Sequence, residues 1–239
     1  MKTSWKSVTL AGLSALCLSM AIQPAMATVI TLTGGDAGEG LTLDPALVVA
    51  AKNINGATAT LQGVSVPTNP SAITISSTGT YVPVYVTPPS PTPDDTALAT
   101  LLNAAGYAQD APLTVNITGL LANVLYKVNL LIADNVDTRN LAFSFNSDPA
   151  VDAFTTVSGS GYNVENLVQS TAGGAISVAI TSSGYYSYGS GPLITSPTYP
   201  ILSTAIVSAV PEPSTLVLAG MGIAFVVSCR EFQRRRRVN

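Results

Sequence analysis

The chain has 239 residues, of which 10% are charged and 47% hydrophobic, with a formal net charge of −3 and no histidine. Without histidine, and with cysteine only at Cys17 and Cys229, it excludes His/Cys zinc sites and the Ser-His-Asp and Cys-His nucleophile arrangements. Between Thr28 and Ala209 three basic side chains (Lys52, Lys127, Arg139) face eleven carboxylates, a net of −8 with no cysteine. That balance offers no cationic footprint for nucleic acid or an anionic lipid surface, and no disulfide can form in this region.

Lys2 and Lys6 precede an apolar run from Val8 to Ile22, and Ala25-Met26-Ala27 ends it with the small-x-small pattern of a signal-peptidase site. Residues 1–27 therefore read as a signal helix whose cleavage determinants are Ala25 and Ala27. The mature protein is expected to start near Thr28, outside the inner membrane.

Residues 28–209 read as one exported β domain, rich in Thr, Val, Ile, Ser and Gly. The first strand spans Thr28 to Thr33 and ends in the glycine loop Gly34 to Gly38. Leu47 to Lys52 and Ala57 to Val66 follow, joined by a tight reversal at Asn55-Gly56. Ala72 to Ser76 and Tyr81 to Val86 form the next pair, the second demoted to a sheet edge by Pro83. After the stiff segment Pro88 to Pro93, Asp94-Asp95-Thr96 offers a helix cap and Ala97, Leu98, Leu101, Leu102 and Ala105 share one helical face, stopped at Gly106. This helical excursion, about residues 94–106, is expected inside a single domain.

Leu113 to Thr118 alternates strictly, turns through Gly119 to Asn123, and returns along Tyr126 to Ile132. Further strands are expected at Ala142 to Asn146, Ala153 to Val157, Glu165 to Ser170, Ala175 to Ile180 and Pro200 to Val207. The fold class is all-β, an antiparallel sandwich with one short helix. Thr118-Gly119-Leu120, Leu125 to Leu131, Ala133-Asp134 and Arg139 resemble a stretch of malectin-like and galactose-binding-like jelly rolls. That resemblance implies a lectin-like jelly-roll sandwich with carbohydrate binding, without specifying a sugar.

Two clusters are candidate sites. Asp134, Asn135 and Asp137 place oxygen groups on one loop, which ordinary turn chemistry explains without a cofactor, with calcium as the alternative. Tyr185, Tyr186 and Tyr188, between Gly184 and Gly189, offer apolar ring faces and hydroxyls to a sugar from a glycine-rich loop, although packing accounts equally well for at least one of them. No catalytic residues are assigned. Most carboxylates neighbour turn residues, which argues against a glycosidase pair.

Residues 210–239 divide into an extended Pro211-Glu212-Pro213 triplet, an uncharged segment from 214 to 229, and a basic cluster of Arg230 with Arg234, Arg235, Arg236 and Arg237. Sixteen residues at about 1.5 Å each give a transmembrane helix of roughly 24 Å, and the arginines keep its far end cytoplasmic. This order resembles the PEP-CTERM sorting signal of Gram-negative bacteria. The resemblance implies an exosortase partner that cuts near the triplet and passes the protein to the cell surface or an extracellular polysaccharide matrix. The expected function is thus a sorted, non-enzymatic, glycan-binding or adhesive module. A purely structural matrix component is the alternative, and a polysaccharide-acting enzyme comes third.

Overall fold

The computed structural model describes residues 27–32, 40–83, 85, 90–134, 137–148, 152–157, 159–186, 192–195 and 198–211. The signal segment through Met26, the Gly34 to Gly38 loop, Asn135, Tyr188, and Glu212 onward with the expected transmembrane helix and arginine cluster lie outside them. Among the described residues, no helix is long and apolar enough to cross a membrane.

Two antiparallel sheets face each other. The first holds β1 (Thr28–Leu32), β12 (Gly161–Gln169), β9 (Leu125–Ala133), β16 (Thr204–Ala209) and β2 (Val48–Asn53), in that order. The second runs β11 (Asp152–Thr155), β10 (Thr138–Phe145), β13 (Ile176–Tyr186), β8 (Leu113–Ile117), β5 (Ile73–Ile75), with β14 (Leu193–Ile194) paired to β13. Smaller elements cover the flanks: a hairpin of β3 (Ala59–Leu61) and β4 (Val64–Val66), and a sheet ordered β15 (Ile201–Leu202), β7 (Ala105–Tyr107), β6 (Gly79–Tyr81). The one helix among the described residues is α1 (Pro93–Leu102).

Side-chain alternation sorts the residues into two cores. Leu113, Val115 and Ile117 of β8, with Leu141, Phe143 and Phe145 of β10, meet Val128, Leu130 and Ile132 of β9 between the sheets. The opposite face of the first sheet is also covered, because Leu131, Ala133 and Ile206 pack under Leu98, Leu101 and Leu102 of α1 and Leu61 and Val64 of the hairpin. This explains why β9 reads as a nearly unbroken apolar run while β8 alternates: β9 is buried on both faces and β8 on one.

Several expected pairings differ. β8 and β9 are not a hairpin. β8 pairs with β13 and β5, β9 with β12 and β16, and the turn through Gly119 (φ 77°) and Asn123 (φ 57°) carries the chain from one sheet to the other. Likewise β5 and β6 lie in different sheets. The expected strand from Ala57 to Val66 folds back at Gln62 (φ 50°) and Gly63 (φ 78°) into β3 and β4, while Asn55-Gly56 bends the chain without pairing β2 to β3.

The helix begins earlier than expected. Thr92 is its N-cap in a reciprocal box: Thr92 Oγ1 accepts from the Asp95 N–H at 3.2 Å, and the Thr92 N–H donates to Asp95 Oδ2 at 2.8 Å. Pro93 then fits the first helical position, where no N–H is needed. Asn103 caps the C-terminus. Gly106 is not the stop; it sits in β7, where a Cβ would come within 2.9 Å of Ile54 and Ser77.

Candidate functional site

One end of the sandwich, where β9 and β13 finish and β10 begins, gathers most of the polar chemistry. Arg139 of β10 stands directly across from Tyr185 of β13 in the ladder. Their common orientation depends on a bulge. Asn140 pairs with Gly184 and Leu141 with Ser182, so Ser183 is an extra residue in β13. The inward positions of β13 are even-numbered at Ile176, Val178 and Ile180, and the extra residue shifts them to odd numbers, which brings Tyr185 to the same face as Arg139 and Leu141. Gly184, at φ 140° and 2.6 Å from Ile194 O at its missing Cβ, supplies the backbone freedom the shift needs.

Arg139 is only 3% exposed and Asp134 0%. Arg139 Nη1 donates to Asp134 Oδ1, and Nη2 to Asp137 Oδ2 at 3.2 Å. Asp134 also accepts from the Tyr81 hydroxyl at 2.9 Å and from the Thr156 hydroxyl at 2.8 Å, while Thr156 Oγ1 accepts the Arg139 N–H at 2.8 Å. A buried carboxylate is thereby matched with one cation and two neutral donors. Burial opposes the Arg139 charge, but Asp134 outweighs it and holds the guanidinium above its ordinary value. Burial, then the Asp134 charge, raises Tyr81 above 10.0, so its hydroxyl stays protonated at neutral pH.

Around this braced arginine lies a tyrosine-rich recess of about 230 Å³, lined by Tyr81, Tyr107, Asp137, Arg139, Tyr185 and Tyr199 together with Ile201. The guanidinium sits over the Tyr81 ring at 4.7 Å and near Tyr185 at 6.0 Å. Tyr107 meets Tyr199 edge-on at 5.6 Å, and Tyr185 meets Tyr199 at 5.9 Å. Tyr199 is also held above its ordinary value, first by desolvation and then by its Tyr185 neighbour. Arg139 Nε is buried with no hydrogen-bond partner among the described residues.

The two clusters singled out by sequence are thus parts of one site. Tyr185, Asp134 and Asp137 converge on Arg139. Tyr185 and Tyr186 belong to strand β13 rather than to a glycine-rich loop, because pairing with β14 extends the strand to Tyr186. Tyr188 and Asn135 fall outside the described residues. Both described carboxylates of the candidate calcium loop engage the guanidinium, and among the described residues no group of three acidic or sulfur ligands comes together. Tyr81, Tyr107, Tyr199 and Thr156 carried no sequence signal, since each stands singly in or beside a short strand.

At the other end, β16 runs straight into the sorting region. Ala209 closes the strand, Val210 is partly buried and Pro211 exposed. Ala27 packs in the inter-sheet core immediately before β1, and Ala25 is outside the described residues.

No curated protein matches the chain. Its fold resembles a chain in the crystal structure of plant peptide RALF23 in complex with FER and LLG2, with TM-score 0.51 and 13% identity over 74% of this chain and 55% of that one, so this chain spans about half its length. A Bacteroides uniformis beta-glucuronidase 2, covalently bound to cyclophellitol-6-carboxylate aziridine, aligns at TM-score 0.43 and 10% identity, over 68% of this chain and 18% of that one. CBM35 from Paenibacillus barcinonensis aligns at TM-score 0.28 and 12% identity, over 56% and 92%. Residues 209–237 match the PEP-CTERM protein-sorting motif, and the chain is accordingly an exported protein, membrane-anchored before sorting and processed by an exosortase.

Proposed function

We propose that the sorted protein is a non-catalytic glycan-binding module whose ligand site is the tyrosine recess around Arg139. The observation that carries this reading is the convergence of Tyr107, Tyr185 and Tyr199 beside a braced guanidinium. Tyrosine rings offer apolar faces to a pyranose, their hydroxyls offer hydrogen bonds, and the arginine fixes the geometry without needing to move. The recess, at about 230 Å³, is below the roughly 300–1,000 Å³ of enclosed small-molecule sites. It suits one sugar ring of a longer polymer. Asp137 and Asp134 are committed to Arg139, which supports binding over hydrolysis, because a glycosidase needs one carboxyl free to protonate a leaving group.

Signal peptidase acting after Ala27 would start the mature chain at β1, and exosortase acting near Pro211 to Pro213 would deliver the domain to the surface or polysaccharide matrix of a Gram-negative cell. The test is equilibrium binding of the purified domain to extracellular polysaccharide from the producing cells. Saturable binding that weakens about fivefold with Tyr185→Ala, the loss of about 1 kcal/mol of ring contact, is the expected result. Saturable binding unmoved by Tyr107→Ala, Tyr185→Ala and Tyr199→Ala together would place the ligand elsewhere. No binding at all would favour a structural matrix component, and turnover of the polymer an enzyme.

A further inference from the structure

The end of the sandwich from which the sorting motif emerges differs chemically from the end that holds the recess. The Ala209 N–H donates to Leu47 O at 2.8 Å and the Val210 N–H to Leu125 O at 3.4 Å, so the chain leaves between the starts of β2 and β9. Two loops gather beside this exit, residues 118–124 and 170–175. They are tied together by Leu120 N–H to Gly174 O at 3.0 Å, Asn123 N–H to Thr171 O at 3.4 Å, and the Ser170 hydroxyl to Leu121 O at 2.5 Å. Neither loop contains a charged residue. Leu121 is 71% exposed at the tip of the first, and Leu167, 38% exposed, lines a cleft of about 290 Å³ with Leu47, Val210 and Pro211, whose wall also carries Asp44 and Lys127, the latter paired with Glu165 at 3.5 Å.

What faces this end is set by how little chain remains before the anchor. The uncharged segment begins at Ser214, three residue steps beyond Pro211. Three steps reach at most about 11 Å whatever their conformation. With that segment held in the bilayer, loops beside the exit lie at the lipid surface. The recess is at the far end of the same strands: β16 alone, five steps long, separates Ile201 and its neighbours from Ala209 by roughly 17 Å.

We infer that this end of the sandwich docks on the lipid bilayer that anchors the precursor through its two uncharged loops, with Leu121 in the membrane interface, Leu167 beside it at the cleft rim, and the tyrosine recess turned away from it. The inference rests on the membrane-anchored reading of the sorting motif. Docking does not depend on charge attraction, which the domain's acidic balance would oppose; it depends on the short tether and on loops with no charge to desolvate.

The test uses the full chain with Cys17 and Cys229 replaced by serine and a single cysteine introduced by Leu121→Cys, Leu167→Cys or Leu193→Cys. Leu193 pairs with Tyr186 at the recess end and serves as the distal position. Each variant carries an environment-sensitive fluorophore and is reconstituted into phosphatidylcholine vesicles with or without nitroxide-labelled acyl chains, then floated on a density gradient. Coflotation with strong quenching and a blue shift at 121 and 167, and neither at 193, is expected. Coflotation with equal signals at all three positions, or no quenching at 121, overturns the docking while leaving the anchor intact. Failure to cofloat overturns the anchor and the docking with it.

Discussion

Replacing Arg139 with methionine keeps an apolar stem of similar length but removes the guanidinium opposite Asp134, a carboxylate that is 0% exposed. Asp134 would keep the Tyr81 and Thr156 hydroxyls at 2.9 and 2.8 Å, but these are neutral donors and cannot offset the burial of its charge. Stranding one member of a buried ion pair costs about 3–5 kcal/mol. For a domain of this size each kcal/mol moves Tm by about 2–4 °C, so thermal unfolding followed by circular dichroism should show a drop of about 6–20 °C. The companion variant tests the cause. Asp134→Asn combined with Arg139→Met leaves no charge to strand; the amide oxygen can replace Oδ1 as acceptor for the Tyr81 hydroxyl and the amide NH2, in the place of Oδ2, can donate to Thr156 Oγ1, so most of the loss should return. A single Arg139→Met that unfolds within a degree of the parent, or a double variant no more stable than the single, would refute the electrostatic account of the site.

Two further perturbations probe features at opposite ends of the sandwich. Gly174→Ala should destabilise by at least about 2 kcal/mol in urea titration, because φ is 68° and an added Cβ would lie 2.2 Å from Leu120 O, in the backbone that joins the two uncharged loops. Stability should also fall in alkali. Tyr81 is raised above 10.0, first by burial and then by Asp134, so the folded state holds this proton more tightly than the unfolded chain. Its contribution is therefore complete below about pH 10 and lost as pH rises through the folded value, and Tyr81→Phe should flatten that part of a Tm against pH curve.

Residue alternation made the strands readable and left their partners unreadable. Strict alternation from Leu113 to Thr118 declares a strand with one wet face, and the apolar stretch from Tyr126 to Ile132 a second strand; both strands are there, the second as β9 from Leu125 to Ala133. Sequence neighbours with a turn between them look like a hairpin, yet burying β9 on both faces requires it in the middle of the first sheet, across the core from β8. The site suffered from a subtler loss. Tyr185 was visible as part of an aromatic cluster, but its direction depends on the extra residue Ser183, and a bulge changes parity without leaving a pattern beyond a glycine. Asp134 and Asp137 were legible as an acidic loop. That they serve Arg139 follows from β9 and β10 meeting at one end, a tertiary fact. Pro93 gave the helix start once Thr92 is taken as the cap, and the pair Asp94-Asp95 drew attention two residues too late.

The place where the sorting enzyme can cut is constrained by β16. This strand is hydrogen-bonded along both edges, to β9 from Thr204 through Ala209 and to β2 from Thr204 through Ser208, and the Val210 N–H still reaches Leu125 O. A transpeptidase needs its substrate extended and unpaired. Pro211 itself lies outside the sheet, and proline has no N–H to give back to it. Reaching a bond before Val210 would mean stripping hydrogen bonds of about 1 kcal/mol each from both sides of a central strand and withdrawing Val207, which is 0% exposed, from the inter-sheet core. The fold therefore protects every bond up to Val210. Intact-mass measurement of the surface form should give a C-terminal residue no earlier than Val210. A form ending at Ala209 or before would mean that the domain opens during sorting, and that the end of β16 yields at a cost far below the one its ladder implies.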